Sequence, residues 1–289
     1  MNPNELIELI EKKNKNTLLD SVINFFDKEH ISNKNQEIAD LYDKAANLYR
    51  IEKKYFEAGE AYKMAGSYYM KADNSLEATG SLNNAINCFH QIDIYTTICC
   101  YYEIIRIYTL THNFDKIAEY SFRLAEIYEK EGIIDRAIEY YQNVVTECET
   151  LPNRSSLHNK SLIKLAELYI RQKKFHQAGD IYEKYAYSIL NNRLLQYSAK
   201  EYYFNAGFCR LASGDIVAFR KFLDKYIQEW SPFQNTFQCT FLMEMRRCLE
   251  NMDKDAIQLL IKEYKNLYPL EEWKNNILIQ ITDNNIDLL

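Results

Sequence analysis

Turn formers are scarce in this chain: seven glycines and four prolines in 289 residues. So few breakers leave little room for the many tight turns of a β-sandwich or barrel, and they favour helices. No apolar run approaches the ~20 residues that a membrane span needs. The opening MNPNELIELIEKKNKN lacks the apolar core of a signal peptide. No CxxC pair occurs among the seven cysteines, Cys88, Cys99, Cys100, Cys148, Cys209, Cys239 and Cys248. An odd count without paired spacing points to buried free thiols in a reducing compartment rather than to disulfides or zinc. The five histidines, His30, His90, His112, His158 and His176, form no HExxH and no i, i+4 pair, the commonest helical zinc arrangement. GxGxxG, GxxxxGK[ST] and GxSxG are also missing, so no cofactor is expected. Carboxylates follow the solvent faces of helices, which speaks against a general acid–base pair. A formal charge of −6 with no basic tail makes a poor nucleic-acid binder, though a local basic face can still hold an acidic partner.

What the chain does have is 47% hydrophobic residues and a repeat. A large residue is followed nine positions on by a small or aliphatic one, and four later by another large one. Tyr49, Ala58, Tyr62 fit, as do Tyr69, Ala78, Leu82; Phe89, Ile98, Tyr102; Tyr128, Ala137, Tyr141; Tyr169, Ala178, Tyr182; Cys209, Ala218, Phe222; and Cys248, Ile257, Ile261. Tyr108 and Ile117 fit in part, with Ser121 in the third place. The anchors stand 19 to 20 residues apart, or 39 to 41 where one is skipped. A helix ends near each anchor, a short polar turn follows, and the next helix begins before the small residue. Two antiparallel helices then span about 40 residues, a tetratricopeptide (TPR)-like unit with longer helices than the usual one. The clearest unit is 114–145, where Gly132 breaks the helix and Asp135 is placed to cap the next.

The spacing predicts an all-α solenoid of helical hairpins over 37–228. It is preceded by an N-terminal helical segment and connection (1–36) and followed by 229–289, which ends in a terminal helix and a short polar tail. LLQYSAKEYYFNAGFCRLASGD (194–215) carries two apolar stripes, Leu195, Ala199, Tyr202, Ala206, Cys209 and Tyr197, Phe204, Phe208, Leu211. Such a helix is clamped between neighbours. The repeat is interrupted by polar stretches at 150–161 and 229–237. A polar connection spans 15–36 around Phe25-Phe26.

LLQYSAKEYYFNAGFC, RLAEIYEKE, AINCF, KAANLYRIEKKYFEAGEAY and NKSLIKLAELY, with PLEEWKNNIL near the end, resemble in order and spacing the soluble NSF attachment proteins, the alpha/beta type in particular. The resemblance covers about residues 4 to 289. It implies a right-handed, twisted sheet of hairpins with a C-terminal helical bundle and short tail over 229–289. It also implies a non-enzymatic adaptor in vesicle traffic that binds a SNARE (syntaxin-like) four-helix bundle on its concave face. The adaptor recruits the NSF-type AAA ATPase, whose ATP hydrolysis takes the bundle apart. A cytoplasmic, peripheral-membrane location is implied too, or host cytosol for an intracellular microbe.

Matching positions carry roles only by that resemblance. Lys160 and Lys164 in NKSLIK, Lys200 in YSAKEYY and Lys53 align with SNARE-facing lysines, against the alternative of four solvated lysines. Phe25 and Phe26 align with a membrane-touching loop, helix packing being the equal alternative. Asp287 and Leu288 align with the tail that stimulates NSF; the alternative is a tail that packs back on the bundle. Some positions depart from the pattern. Glu119 and Asn113 stand where the family has basic residues, and FHQID replaces a stretch with two lysines. These changes reduce charge complementarity to an acidic bundle. They leave open a second reading, a SNAP-like scaffold or microbial mimic that binds SNARE or NSF and diverts or blocks the cycle. A third is an enzyme on a helical-repeat frame.

Overall fold

The computed structural model describes residues 2–23, 28–149, 155–214 and 216–283. Among these, every regular element is a helix. The order is α1 (Pro3–Ile23), α2 (Lys28–Ile51), α3 (Tyr55–Lys71), α4 (Ser75–Phe89), α5 (Ile94–Leu110), α6 (Phe114–Lys130), α7 (Ile134–Glu149), α8 (Ser155–Arg171), α9 (Phe175–Ile189), α10 (Ala199–Ala212), α11 (Ile216–Glu229), α12 (Phe237–Glu250), α13 (Lys254–Leu267) and α14 (Glu272–Asp283). Contacts group the chain into two units, 1–131 and 132–289. In each, a helix packs mainly on its neighbours in sequence, as a hairpin repeat requires.

The anchors of the repeat are where the chain turns its corners. The carbonyls of Tyr49, Tyr69, Tyr108, Tyr169 and Cys248 accept the backbone N–H five residues on, from Lys54, Asn74, Asn113, Lys174 and Asp253, at 2.8–3.0 Å. The residue just before each donor is left-handed: Lys53, Asp73, His112, Lys173 and Met252, with φ of 53° to 61°. This is the Schellman arrangement, normally closed by glycine. Gly132 (φ 74°) has the left-handed place after Tyr128. The residue that ends one helix is also the N-cap of the next. The side chains of Asn74, Asn113 and Asp253 accept from the N–H groups of Glu77, Lys116 and Ala256 at 3.2, 3.2 and 2.9 Å. Asp135, expected to cap α7, instead lies inside its first turn and accepts from Gln172 Nε2 at 2.7 Å.

Corner length sets which side chains reach the core. After Phe89 the corner is one residue shorter, since Asp93 N–H reaches the Phe89 carbonyl at 2.8 Å and Asp93 caps α5. The frame moves back by one: Thr97 and Tyr101 are buried, and Tyr102, expected inside, is 38% exposed. After Cys209 the corner is one residue longer, with left-handed Gly214 five positions on. Phe219 and Leu223 are buried in place of Ala218 and Phe222.

Where the frame holds, Ala58, Ala78, Ala137 and Ala178 are fully buried and let the backbones approach. The buried tyrosines use both ends of the side chain. Tyr62 donates to Asn47 (2.8 Å), Tyr69 to Asp40 (2.8 Å), Tyr120 to Asn83 (2.9 Å) and Tyr203 to Glu229 (3.1 Å), while their rings fill the inter-helix layer.

Three expectations change. Much of 15–36 is helical, in α1 and α2, and 155–161 opens α8. In the segment 194–215 the helix starts only at Ala199, after a 3₁₀ turn, Gln196–Ser198; Leu195 and Tyr197 are exposed. From Ala199 on, α10 is buried on most sides, against α9, α11, α12 and α14. A Cβ on Gly207 would meet the Leu242 side chain at 2.7 Å, so any larger residue would have to displace that buried leucine from the α10–α12 contact.

Candidate functional site

Lys160 and Lys164 both lie on α8, one turn apart. Lys160 is exposed and Lys164 half-buried, its ammonium 3.7 Å from the carboxylate of Glu167. The opposite side of α8 places Leu162, Leu165, Ala166 and Tyr169 in the core, so helical periodicity alone turns the two lysines outward. Lys200 is half-buried in the first turn of α10. These three belong to the second unit. Lys53 belongs to the first, exposed at the left-handed corner between α2 and α3, where its neighbour Lys54 pairs with Glu52 at 2.8 Å. Phe25, Phe26, Asp287 and Leu288 lie outside the described residues.

The positions that depart from the basic pattern have local reasons. Asn113 is the N-cap of α6 and Asp93, within FHQID, the N-cap of α5. A side chain that accepts backbone N–H groups does there what a lysine cannot. The Asp93 carboxyl is held below the usual carboxylate range by the Thr96 hydroxyl and by the N–H groups of Thr96 and Tyr95. Glu119 is flanked by Lys116 at 2.9 Å and Arg123 at 2.6 Å, one turn to either side. The charge reversal read from Glu119 alone is therefore offset: the trio retains one positive charge on α6. Its hydrogen bond to Glu119, with the attraction of the same carboxylate, holds Lys116 above the usual lysine range. Sequence reasoning missed Lys116 and Arg123, although their i−3 and i+4 spacing to Glu119 carries the signal.

A second group went unread. Arg210 on α10 is 1% exposed, in the middle of FCRLA. Its guanidinium donates to Glu183 at 2.5 and 3.1 Å and also to Asp180, both on α9, and stacks 3.8 Å over the Phe222 ring. Burial pushes the Glu183 carboxyl up, while the hydrogen bonds and charge of Arg210 pull against it. An arginine inside an otherwise apolar helix demands such partners. Lys274 on α14, 4% exposed, shows the same logic with Glu271 at 3.0 Å and the Phe204 and Trp273 rings. These groups hold helices together, and Asp180 and Glu183 also line an open groove of about 350 Å³ with Lys184, Tyr187, Lys225 and Glu229.

The thiols are poorly suited to nucleophilic work. Six of the seven cysteines are buried, and burial raises Cys100 and Cys209 to about 12 and Cys239 to about 11. Among the described residues no cluster of His, Cys, Asp and Glu could hold a metal. No helix there is long and apolar enough to cross a membrane.

Known proteins add a family. The profile described as "Soluble NSF attachment protein, SNAP" matches residues 2–286. The vesicular-fusion protein SEC17 of Komagataella phaffii is 32% identical over 260 residues, which cover 86% of this chain and 84% of that one. The alpha-soluble NSF attachment protein of Homo sapiens is 28% identical over 251 residues, 86% and 84% of the two chains. The soluble NSF attachment protein homolog FPV011 of Fowlpox virus is 28% identical over 248 residues, 85% and 88% of the two.

Proposed function

The chain belongs to the soluble NSF attachment protein family, and from that premise we propose that it is a non-enzymatic adaptor. It binds a SNARE four-helix bundle and recruits an NSF-type ATPase that disassembles the bundle. The observation that carries this reading is the match to the family across residues 2–286, with relatives named for NSF attachment and vesicular fusion.

Lys160 and Lys164 are the centre of the proposed SNARE contact, with Lys200, Lys53 and the positive balance of Lys116, Glu119 and Arg123 contributing. A SNARE bundle is acidic by the family resemblance. Exposed cations facing it steer association and fix register more than they add affinity. Asp287 and Leu288 are the proposed NSF contact. Phe25 and Phe26 are the proposed peripheral-membrane contact, and the proposed location, by family resemblance, is the cytoplasmic side of a membrane.

The decisive experiment measures SNARE-bundle disassembly and ATP hydrolysis by NSF with and without this protein. The adaptor reading expects both to rise with protein concentration. Binding to the bundle without any rise in ATP hydrolysis would replace it by a diverting scaffold, a reading with which the similarity to a poxvirus homolog is consistent. Deleting 286–289 should lower NSF stimulation while leaving the melting temperature and SNARE binding unchanged. A lower melting temperature would instead assign the tail to packing. Serine at positions 25 and 26 should reduce flotation with liposomes.

A further inference from the structure

Within the first unit, α3 and α5 wall a groove of about 880 Å³ whose floor includes Leu82 of α4. Its lining is apolar yet open to water: Met64 and Tyr102 are each 38% exposed, and Cys99 is exposed. Along α5, Tyr95, Cys99, Tyr102 and Arg106 recur at steps of four, three and four, so they form one outward stripe, beginning with Tyr95 at 77% exposure. The Tyr102 hydroxyl is tied to that of Tyr128 at 2.5 Å, which fixes the ring at the groove wall.

The rim carries Lys63 and Lys71 from α3 and Arg106 from α5, against one lining carboxylate, Glu103. With Glu60, which pairs with Lys63, the rim keeps a balance of one positive charge in a chain of net charge −6. Lys63 pairs with Glu60 and Arg106 with Glu103, each at 2.7 Å, and all four side chains are well exposed. Exposed pairs of this kind hold weakly and exchange readily for a partner's carboxylate. Methionines such as Met64 adapt their shape to an apolar partner at little cost.

We infer that this groove is a docking site for an amphipathic helix with apolar residues at i, i+3 or i+4, and i+7, flanked by carboxylates. The mode is a helix laid in a groove. The apolar stripe would lie over Leu82 between Met64 and Tyr102, and its carboxylates would meet Lys63, Lys71 and Arg106. The site goes beyond the proposed SNARE contact: Lys160, Lys164 and Lys200 lie in the other unit, and Lys53, Lys116, Glu119 and Arg123 do not line the groove.

Cys99 is a built-in reporter, because the other six cysteines are buried. The test uses the full chain and two designed helical peptides with the same leucine stripe, one flanked by glutamates and one by lysines. The rate of Cys99 alkylation by iodoacetamide is read by peptide mass. The glutamate peptide should slow it about fivefold at low salt and less at high salt, as a charge-steered contact requires, and the lysine peptide should not. Lys63→Glu with Arg106→Glu should abolish the protection. Lys160→Glu with Lys164→Glu should leave it intact, which separates this site from the proposed SNARE contact. If the charge-reversed protein loses its helical circular dichroism, Met64→Glu gives the same reading from the exposed wall. Equal protection by both peptides, or none at saturation, overturns the proposal. Protection that grows with protein concentration alone also overturns it, since the occupant is then a second copy.

Discussion

Arg210 on α10 and Glu183 on α9 are joined by two hydrogen bonds, at 2.5 and 3.1 Å, with both side chains withdrawn from water. Removing Arg210 leaves the buried Glu183 carboxylate with only the more distant Lys225 ammonium, at 3.6 Å, as a cation. Arg210→Ala should cost about 3–5 kcal/mol, whereas Arg210→Met with Glu183→Leu should restore most of it or exceed the parent. Both tryptophans, Trp230 and Trp273, lie in this unit, so urea unfolding followed by tryptophan fluorescence reports it. The sign with pH follows from Glu183, which burial already pushes upward. Once Arg210 is gone, folding favours the protonated acid still more. The deficit should therefore shrink as pH falls from about 8 to about 5. A deficit that is constant with pH would assign the loss to packing against Phe222 alone.

Lys173 has a φ of 57° at the corner between α8 and α9, a place that glycine takes after α6. The left-handed conformation costs a side-chain-bearing residue about 1–2 kcal/mol, and glycine returns part of that as lost unfolded-state entropy. Lys173→Gly should raise stability by about 0.5–1 kcal/mol. Gly132→Ala, the converse change, should lower it by a similar amount. A Lys173→Gly protein no more stable than the parent would show that the corner is held by other contacts.

These corners also show how far the sequence could be read. The spacing from Tyr49 to Ala58 and Tyr62 reports a Schellman corner followed at once by a cap, so the hairpin repeat was legible wherever the corner keeps that length. It slipped at Phe89 and Cys209, where a corner one residue shorter or longer turned Tyr101 rather than Tyr102, and Phe219 rather than Ala218, into the core. Periodicity counts residues along a helix, and it cannot see a change of length in the turn before it. The outward direction of Lys160 and Lys164 was legible for the same reason as the fold. The neighbours of Glu119 were legible too, in their i−3 and i+4 spacing, but aligning one position at a time passes over the pairs on which the role of a charge depends.

Asp93 ties acid stability to the α5 cap. Its folded-state carboxyl is held low, chiefly by the Thr96 hydroxyl at 2.6 Å and the Thr96 N–H. A lowered folded value means a contribution present above the ordinary aspartate range and lost as pH falls through the folded value. Asp93→Asn keeps a capping oxygen but removes that titration. The variant should show a flatter decline of melting temperature below about pH 4. An unchanged acid limb would exclude Asp93 as a source of it.

Lys160 and Lys164 test the proposed SNARE surface directly. Each exposed charge is worth at most about 1 kcal/mol, so the double change to glutamate should weaken bundle binding by about tenfold or somewhat more at low ionic strength. The effect should appear mainly in the association rate and fade near 1 M salt, where the Debye length is about 3 Å. Double-glutamate protein that binds as fast as the parent at low salt would remove these residues from the contact.

Glu119 gives the most discriminating experiment, because two accounts of it predict different outcomes. If its negative charge simply faced the bundle, Glu119→Gln would raise affinity and Lys116 would be irrelevant. Glu119 instead sits between Lys116 and Arg123 at 2.9 and 2.6 Å, so what a partner meets is the trio. Glu119→Lys removes both pairs and leaves three cations along one face of α6. It should cost about 0.5–1 kcal/mol of stability through i, i+3 and i, i+4 repulsion and raise the association rate with a SNARE bundle several-fold at low salt. Lys116→Glu should do the reverse for binding, leaving two carboxylates to one guanidinium. Thermal melts and stopped-flow association on the same proteins separate the two effects. If Glu119→Lys and Lys116→Glu associate at the same rate, α6 is not part of the surface, and the loss of the family's basic residues at 113 and 119 then reflects helix capping and local pairing alone.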